Sequence, residues 1–215
     1  MVAFCALAVA QSSNIVEISR RPVPGIGLRL HYAKGELQFG ELRLPESKGP
    51  HPLVVLVHGG CWVSQLGDLP VEAVSMQGLR PMAAELAANG IATWNMEYRR
   101  LGNPGGGWPG TFQDLALGTD HVRQLAKKHA LDLNRVVVAG HSAGGSFALW
   151  IAGRSRIPKS SELAVGKPLR VRGALNLDGP GDLRATIPMV NSICGAPVIT
   201  QLVGGPPDQM PERYR

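Results

Sequence analysis

Apolar positions along this chain recur with two different periods, and each change of period marks an element. Leu28-Arg-Leu-His-Tyr32 and Leu37-Gln-Phe-Gly-Glu-Leu-Arg-Leu44 alternate, or nearly so, on either side of Lys34-Gly35, which predicts an antiparallel pair of strands. Leu53-Val-Val-Leu-Val57 is apolar without a break, the pattern of a strand buried on both faces. Pro81 to Ala88 suits a helix, with proline in its first turn and Asn89-Gly90 at its end. Ile91 to Tyr98 is the next strand, and Gly102 to Gly110 is too rich in glycine and proline for regular structure. Thr111-x-x-Asp114 has capping-box spacing, with Asp where Glu or Gln is usual. Leu115, Leu117, Val122 and Leu125 extend that helix to about Ala130. Val171 to Leu177 gives a last strand ending at Asp178-Gly-Pro-Gly-Asp182, and Pro188 to Arg215 reads as loops with one short helix around Val198 to Val203. Strands alternating with helices after an opening hairpin predict an α/β fold, with a mostly parallel sheet and helices on both faces.

Between these elements lies Arg135-Val-Val-Val-Ala-Gly-His-Ser142-Ala-Gly-Gly-Ser-Phe-Ala-Leu-Trp150: a β-branched run, a glycine-flanked serine, then a helix-compatible apolar segment. At a sharp strand-to-helix turn the serine backbone is strained and its hydroxyl projects from the end of the sheet, so its neighbours must be very small. Gly140, Ala143, Gly144 and Gly145 meet that demand. Ser142 is the candidate nucleophile. The Ala143 amide sits at a helix N-terminus, where unpaired N–H groups and the helix dipole favour developing negative charge.

Reactive groups in such a sheet collect at the carboxyl ends of the strands. His58-Gly59-Gly60 ends one strand, and paired glycines let backbone amides turn inward, so Gly59 and Gly60 join Ala143 as candidate oxyanion donors. His58 follows its strand directly and reads as a residue that pins the loop; Glu97 and Asp114 read as holding strand and helix ends. His141, in the variable position of the serine turn, is expected to face away from the nucleophile. Trp62, Trp108 and Tyr98 suit either a substrate-binding wall or the core.

Composition narrows the function classes. A chain of 215 residues, 44% hydrophobic, has room for one domain with a sizeable core. The net charge of +6 is scattered over Arg99-Arg100, Lys127-Lys128 and Arg154 to Arg156 without a stripe or interleaved aromatics, which argues against nucleic-acid binding. No run reaches the roughly 18 residues of a membrane span. Val2 to Ala10 is apolar and ends Ala8-Val9-Ala10, matching the end of a secretory signal, here without its basic leader; the alternative is a buried N-terminal strand. Residues 11–215 then form a single domain, secreted or periplasmic if the signal is real and otherwise cytoplasmic. Cys61 and Cys194 either pair, as an exported protein permits, or stay independent thiols. Their spacing fits no metal site, and Gly140, Gly144 and Gly145 do not fit a dinucleotide fingerprint, so no metal or cofactor is expected.

Taken together, His58-Gly-Gly-Cys-Trp62, Glu97-Tyr-Arg99, Gly140-His-Ser-Ala-Gly144 and Gly204-Gly-Pro-Pro-x-x-x-Pro-Glu-Arg-Tyr214 resemble the serine α/β-hydrolases of the esterase, lipase and prolyl-oligopeptidase-like group, especially its small bacterial esterases. The resemblance runs from about residue 28 to the last residue. It implies an α/β-hydrolase fold, Ser142 as nucleophile, Gly59, Gly60 and Ala143 as oxyanion donors, and a small-molecule ester as substrate. Serine acyl transfer needs no cofactor. The alternatives are a peptidase or amidase of the same superfamily, or a non-catalytic binding protein on the hydrolase fold.

One departure stands out. The superfamily's triad runs Ser, then Asp or Glu, then His. The six histidines here, at 31, 51, 58, 121, 129 and 141, all precede Ser142. Asp178 or Asp182 would serve as acid only in a rearranged triad. The expectation is a fold lacking its last strands, with Val171 to Leu177 as an exposed apolar edge of the kind native sheets avoid. Such a chain would have little turnover.

Overall fold

The computed structural model describes residues 15–214. The expected signal segment lies outside these residues. Six strands form one sheet: β1 (Leu28–His31), β2 (Phe39–Arg43), β3 (His51–Val57), β4 (Ala92–Met96), β5 (Leu131–His141) and β6 (Ala174–Leu177), in the order β1-β2-β4-β3-β5-β6. The hairpin forms as its alternation predicts, with Leu28 opposite Leu42, and β2 joins the rest by pairing antiparallel with β4. The other pairings are parallel. The fold is thus the expected mixed sheet with an N-terminal antiparallel hairpin.

The unbroken apolar runs are buried on both sides, as a doubly covered sheet requires. Along β3, Leu53, Val55 and Val57 join the large core, whereas Leu56 belongs to a smaller cluster on the opposite face. The large core is built with α3 (Gly110–Asp120), α5 (Ala143–Gly153) and α7 (Val198–Val203), through Phe112, Phe147 and Leu202. The smaller is closed by Leu79 and by Ala83 of α2 (Arg80–Ala88). Each fully buried aliphatic side chain contributes about 1.5–3 kcal/mol. Arg154, 3% exposed, locks the far end of α5 to α3: its guanidinium donates to both Asp120 oxygens, at 3.1 and 2.9 Å, and to Val165 O.

Three features correct the sequence reading. The helix expected from Thr111 to about Ala130 breaks at His121 into α3 and a short α4 (Val122–Leu125). The capping box does not form: the helix already begins at Gly110, and Thr111 Oγ1 instead donates to Arg99 O at 2.5 Å and accepts from Gly107 N–H. Asp114, fully buried, is taken by Arg99, whose Nε and Nη2 donate at 2.8 and 2.7 Å. Finally, part of the stretch expected to be loop is α6 (Leu183–Cys194). Asp182 caps it, accepting from Ala185 N–H at 3.0 Å, and Gly195 ends it at φ 69. Pro188 sits inside it, where its missing N–H leaves only one helix bond unmade.

Cys61 and Cys194 are joined in a disulfide, so the pairing left open by the sequence is resolved. Closing a loop of 133 residues removes enough unfolded-chain entropy to be worth about 5 kcal/mol. As expected, β6 lies at the edge of the sheet, with Leu175 54% exposed.

Candidate active site

The turn between β5 and α5 holds Ser142 at φ 52, ψ −123, a conformation that L-residues rarely adopt. Packing over-determines it. Ser142 N–H donates to Leu177 O of β6 at 2.8 Å, and Ser142 O accepts from Gly145 N–H at 2.8 Å. A Cβ on Gly140 would overlap the Gly144 carbonyl, and one on Gly144 would overlap the carbonyls of Val57 and His58, so only glycine lets the strand, the turn and the neighbouring loop meet.

The loop after β3 lies against the serine. A Cβ on Gly59 would stand 3.1 Å from Ser142 Cβ and 2.8 Å from His141 O. Gly60, Cys61 and Trp62 follow at φ 102, 51 and 60, three left-handed residues in succession. Among the described residues, none accepts a hydrogen bond from the amides of Gly59, Gly60 or Ala143.

A buried polar cluster fixes this loop. His58 Nε2 pairs with Glu97 Oε1 at 2.9 Å, and Nδ1 lies 2.8 Å from Gly59 O. The imidazole stacks on the Tyr98 ring with centroids 4.3 Å apart, and Tyr98 Oη donates to His58 O at 2.7 Å. With both ring nitrogens facing oxygens, His58 is a brace rather than a base, as its position after the strand suggested. Burial alone would push the Glu97 carboxyl up, but His58, by charge and hydrogen bond, together with Arg100 and the Tyr98 amide, holds it below the ordinary carboxylate range. Burial pushes the Tyr98 phenol far up, so it remains a donor.

The same strand end holds the opposite wall. Arg100 Nη1 donates to Val74 O and Asn95 Nδ2 to Met76 O, both at 2.8 Å, strapping the 3-10 turns Val71–Val74 and Met76–Leu79 beside the loop. Between wall and loop lies a cavity of about 180 Å³ that reaches Gly59, Gly60, Cys61 and Ser142.

The aromatic residues considered as a substrate wall lie elsewhere. Trp62 and Tyr98 are core, 1% and 0% exposed, packed against Phe147 at 6.4 and 5.5 Å. Trp108 packs on Phe112 and under Arg213, and Nε1 donates to Glu162. None of the three lines the cavity. His141, expected to face away, does line it, with Nδ1 3.5 Å from the point a Gly59 Cβ would occupy. Sequence reasoning missed Arg100 and the Val71–Leu79 wall, whose signal is tertiary. It also missed the end of α6, which Asp182 and Gly195 marked as a cap and a stop.

Apart from His58, whose Nε2 is held by Glu97 in the buried cluster, no histidine among the described residues pairs with a carboxylate. His31 packs on Phe39, His121 on Trp94, and His51 opens β3 at the opposite end of the sheet. Asp182 is occupied as the α6 cap, and Asp178 follows β6 at φ 62.

Strand order and the strained serine turn place the protein among the α/β-hydrolases. Solved structures share this fold. Esterase B from Lactobacillus rhamnosis, inhibited by a tributyrin phosphonate, is 25% identical with a TM-score of 0.64, over 87% of this chain and 59% of that one. A hyperthermophilic esterase from the archaeon Pyrobaculum calidifontis is 20% identical with a TM-score of 0.59, over 94% and 59%. A bifunctional GH43-CE protein of Bacteroides eggerthii is 22% identical with a TM-score of 0.65, over 86% and 27%. The chain therefore spans less than two thirds of each. The BD-FAE family model matches residues 41–215, and the chain belongs to that family. No curated protein matches the sequence.

Proposed function

We propose that the protein is a carboxylic ester hydrolase acting through an acyl-Ser142 intermediate. The observation that carries this is Ser142 itself, held at φ 52 between β5 and α5 with the Gly59 backbone against it. Attack of Ser142 Oγ on the carbonyl carbon would put negative charge on the carbonyl oxygen, where the amides of Gly59, Gly60 and Ala143 are free to bind it. Collapse expels the alcohol, and water then releases the acid. The esterase neighbours support the same reaction class.

The attacking hydroxyl needs a base, and the described residues provide no oriented one. Turnover by these residues should therefore be residual, limited to what oxyanion and binding contacts supply, about 10³–10⁴ over water. The Cys61–Cys194 disulfide supports export to an oxidising compartment. The test is labelling by a fluorophosphonate probe. Slow label, at the residual rate of a serine without its base, that depends on Ser142 and is lost in Ser142→Ala is expected; equal labelling of both would refute the nucleophile assignment.

A further inference from the structure

We propose that the cavity beside Ser142 is the acyl site, that it takes a short apolar acyl group, and that Ile193, tethered through the Cys61–Cys194 disulfide, sets its length limit. This rests on Ser142 being the residue that carries the acyl group.

The lining decides the chemistry. Apart from Ser142, Gly78 and the loop His58 to Cys61, the wall is apolar at Leu66, Leu69, Ala73, Val74, Leu79 and Ile193 and polar at Ser75 and His141. Both nitrogens of His58, a buried polar side chain of the wall, are already engaged. An occupant would find mostly van der Waals contact, with Ser75 and His141 as the polar side chains of the wall, so a sugar with its several hydroxyls would be desolvated with few partners. An alkyl chain loses nothing there.

The position decides which half of the ester enters. The acyl group stays on Ser142 until water releases it, whereas the alcohol must take a proton and leave. A cavity running beneath the oxyanion loop against the strapped 3-10 turns suits the part that stays. Its depth is fixed where Val74 meets Gly60: a Cβ on Gly60 would come within 2.8 Å of both Val74 Cβ and Val74 O. A cavity of about 150 Å³ already accepts benzene. At about 180 Å³ this one accommodates a chain of about four to six carbons.

The remaining wall is unusual. Ile193 lines the cavity yet is 72% exposed, so packing does not hold it. What holds it is its neighbour. Cys194 ends α6 and is bonded to Cys61, the residue after Gly60 in the left-handed run. One covalent bond thereby fixes the mouth of the cavity to the oxyanion loop.

Alkylboronic acids test this without turnover. The serine Oγ–B bond forms, boron becomes tetrahedral and anionic, and the hydroxyl proton passes to solvent, so equilibrium affinity reads the acyl side alone. Titration calorimetry with methyl-, butyl-, hexyl- and octylboronic acid should give affinity rising up to about fourfold per added methylene. The rise should stop between butyl and octyl. Ile193→Ala should move that limit to longer chains and Ile193→Trp to shorter ones, and Cys194→Ser should act in the same direction as Ile193→Ala. Met189→Ala, on the same helix, 53% exposed and away from the cavity, should leave the limit where it is. Binding that depends on Ser142 but has no length limit, or a limit that neither Ile193 variant moves, would overturn the acyl-site assignment alone. A Cys194→Ser limit equal to that of the unaltered protein would overturn the tether. Equal affinity of Ser142→Ala for the whole series would overturn the serine chemistry and the acyl site with it.

Discussion

His58 and Glu97 meet inside the protein, Nε2 to Oε1 at 2.9 Å, with 2% and 5% of their side chains exposed. The pair joins the loop after β3 to the end of β4 and so bears on both stability and the loop that lies against Ser142. Breaking a buried pair by removing one partner strands the other. Glu97→Ala should cost about 3–5 kcal/mol in urea unfolding at pH 7. The pH dependence follows from the depressed folded-state carboxyl. Above the ordinary carboxylate range Glu97 is ionised both folded and unfolded, and its contribution is fully present. As pH falls, the unfolded chain takes up the proton first, and the contribution is lost until the folded carboxyl titrates too. The gap between the protein and Glu97→Ala should therefore narrow in acid, below the ordinary carboxylate range; a gap constant down to pH 2 would contradict it.

Tyr98 Oη donates to His58 O at 2.7 Å with both residues buried. Tyr98→Phe keeps the ring stacking but leaves that carbonyl unpaired in the core, a cost of about 1–3 kcal/mol. The loop carrying Gly59 should loosen as well. Both a lower urea midpoint and slower fluorophosphonate labelling of Ser142 are expected, and unchanged labelling would separate this bond from the reactivity of Ser142.

Gly144→Ala places a methyl into the carbonyls of Val57 and His58. Backbone must move, because neither obstacle is a flexible side-chain tip. A loss above about 4 kcal/mol is expected, in the range reserved for such core clashes. Thermal unfolding by circular dichroism measures it, and a Tm within a degree of the unaltered protein would be the contrary result.

Asp120 accepts from Arg154, which is almost wholly buried, and from the Leu169 amide at 2.7 Å. Asp120→Ala should cost about 3–5 kcal/mol by stranding that guanidinium. The Asp120 cluster ties the far ends of α3 and α5, so labelling of Ser142 in the folded fraction should be unaffected. This pairing of results distinguishes support of the fold from support of the site.

Local patterns proved the most legible. The hairpin, the buried β3 run and the glycine-flanked serine each depend on residues within a few positions, and the alternation or the glycine spacing states the requirement directly. The reading failed where a long-range partner decides the outcome. Thr111 and Asp114 have the spacing of a cap, but Arg99 lies close enough to take Asp114, so the cap is lost to an ion pair. Trp62 and Tyr98 flank the site in sequence, yet both rings pack inward onto Phe147, Trp62 from a turn whose backbone is left-handed and Tyr98 from the end of β4. Pro188 hid α6 by outweighing the plain start and stop signals at Asp182 and Gly195. The disulfide joins residues 133 apart, a separation that no local pattern encodes.

That bridge also changes how damage to the protein would look. Cys61 to Cys194 encloses β4, β5 and β6 together with α2, α3, α4, α5 and α6 in a single covalent ring. A protease cutting once within the ring, for instance in the glycine-rich Gly102 to Gly110 loop, opens the chain without separating its pieces. On a non-reducing gel such nicked protein runs as one band and passes for intact; only a thiol reductant releases the fragments and reveals the cut.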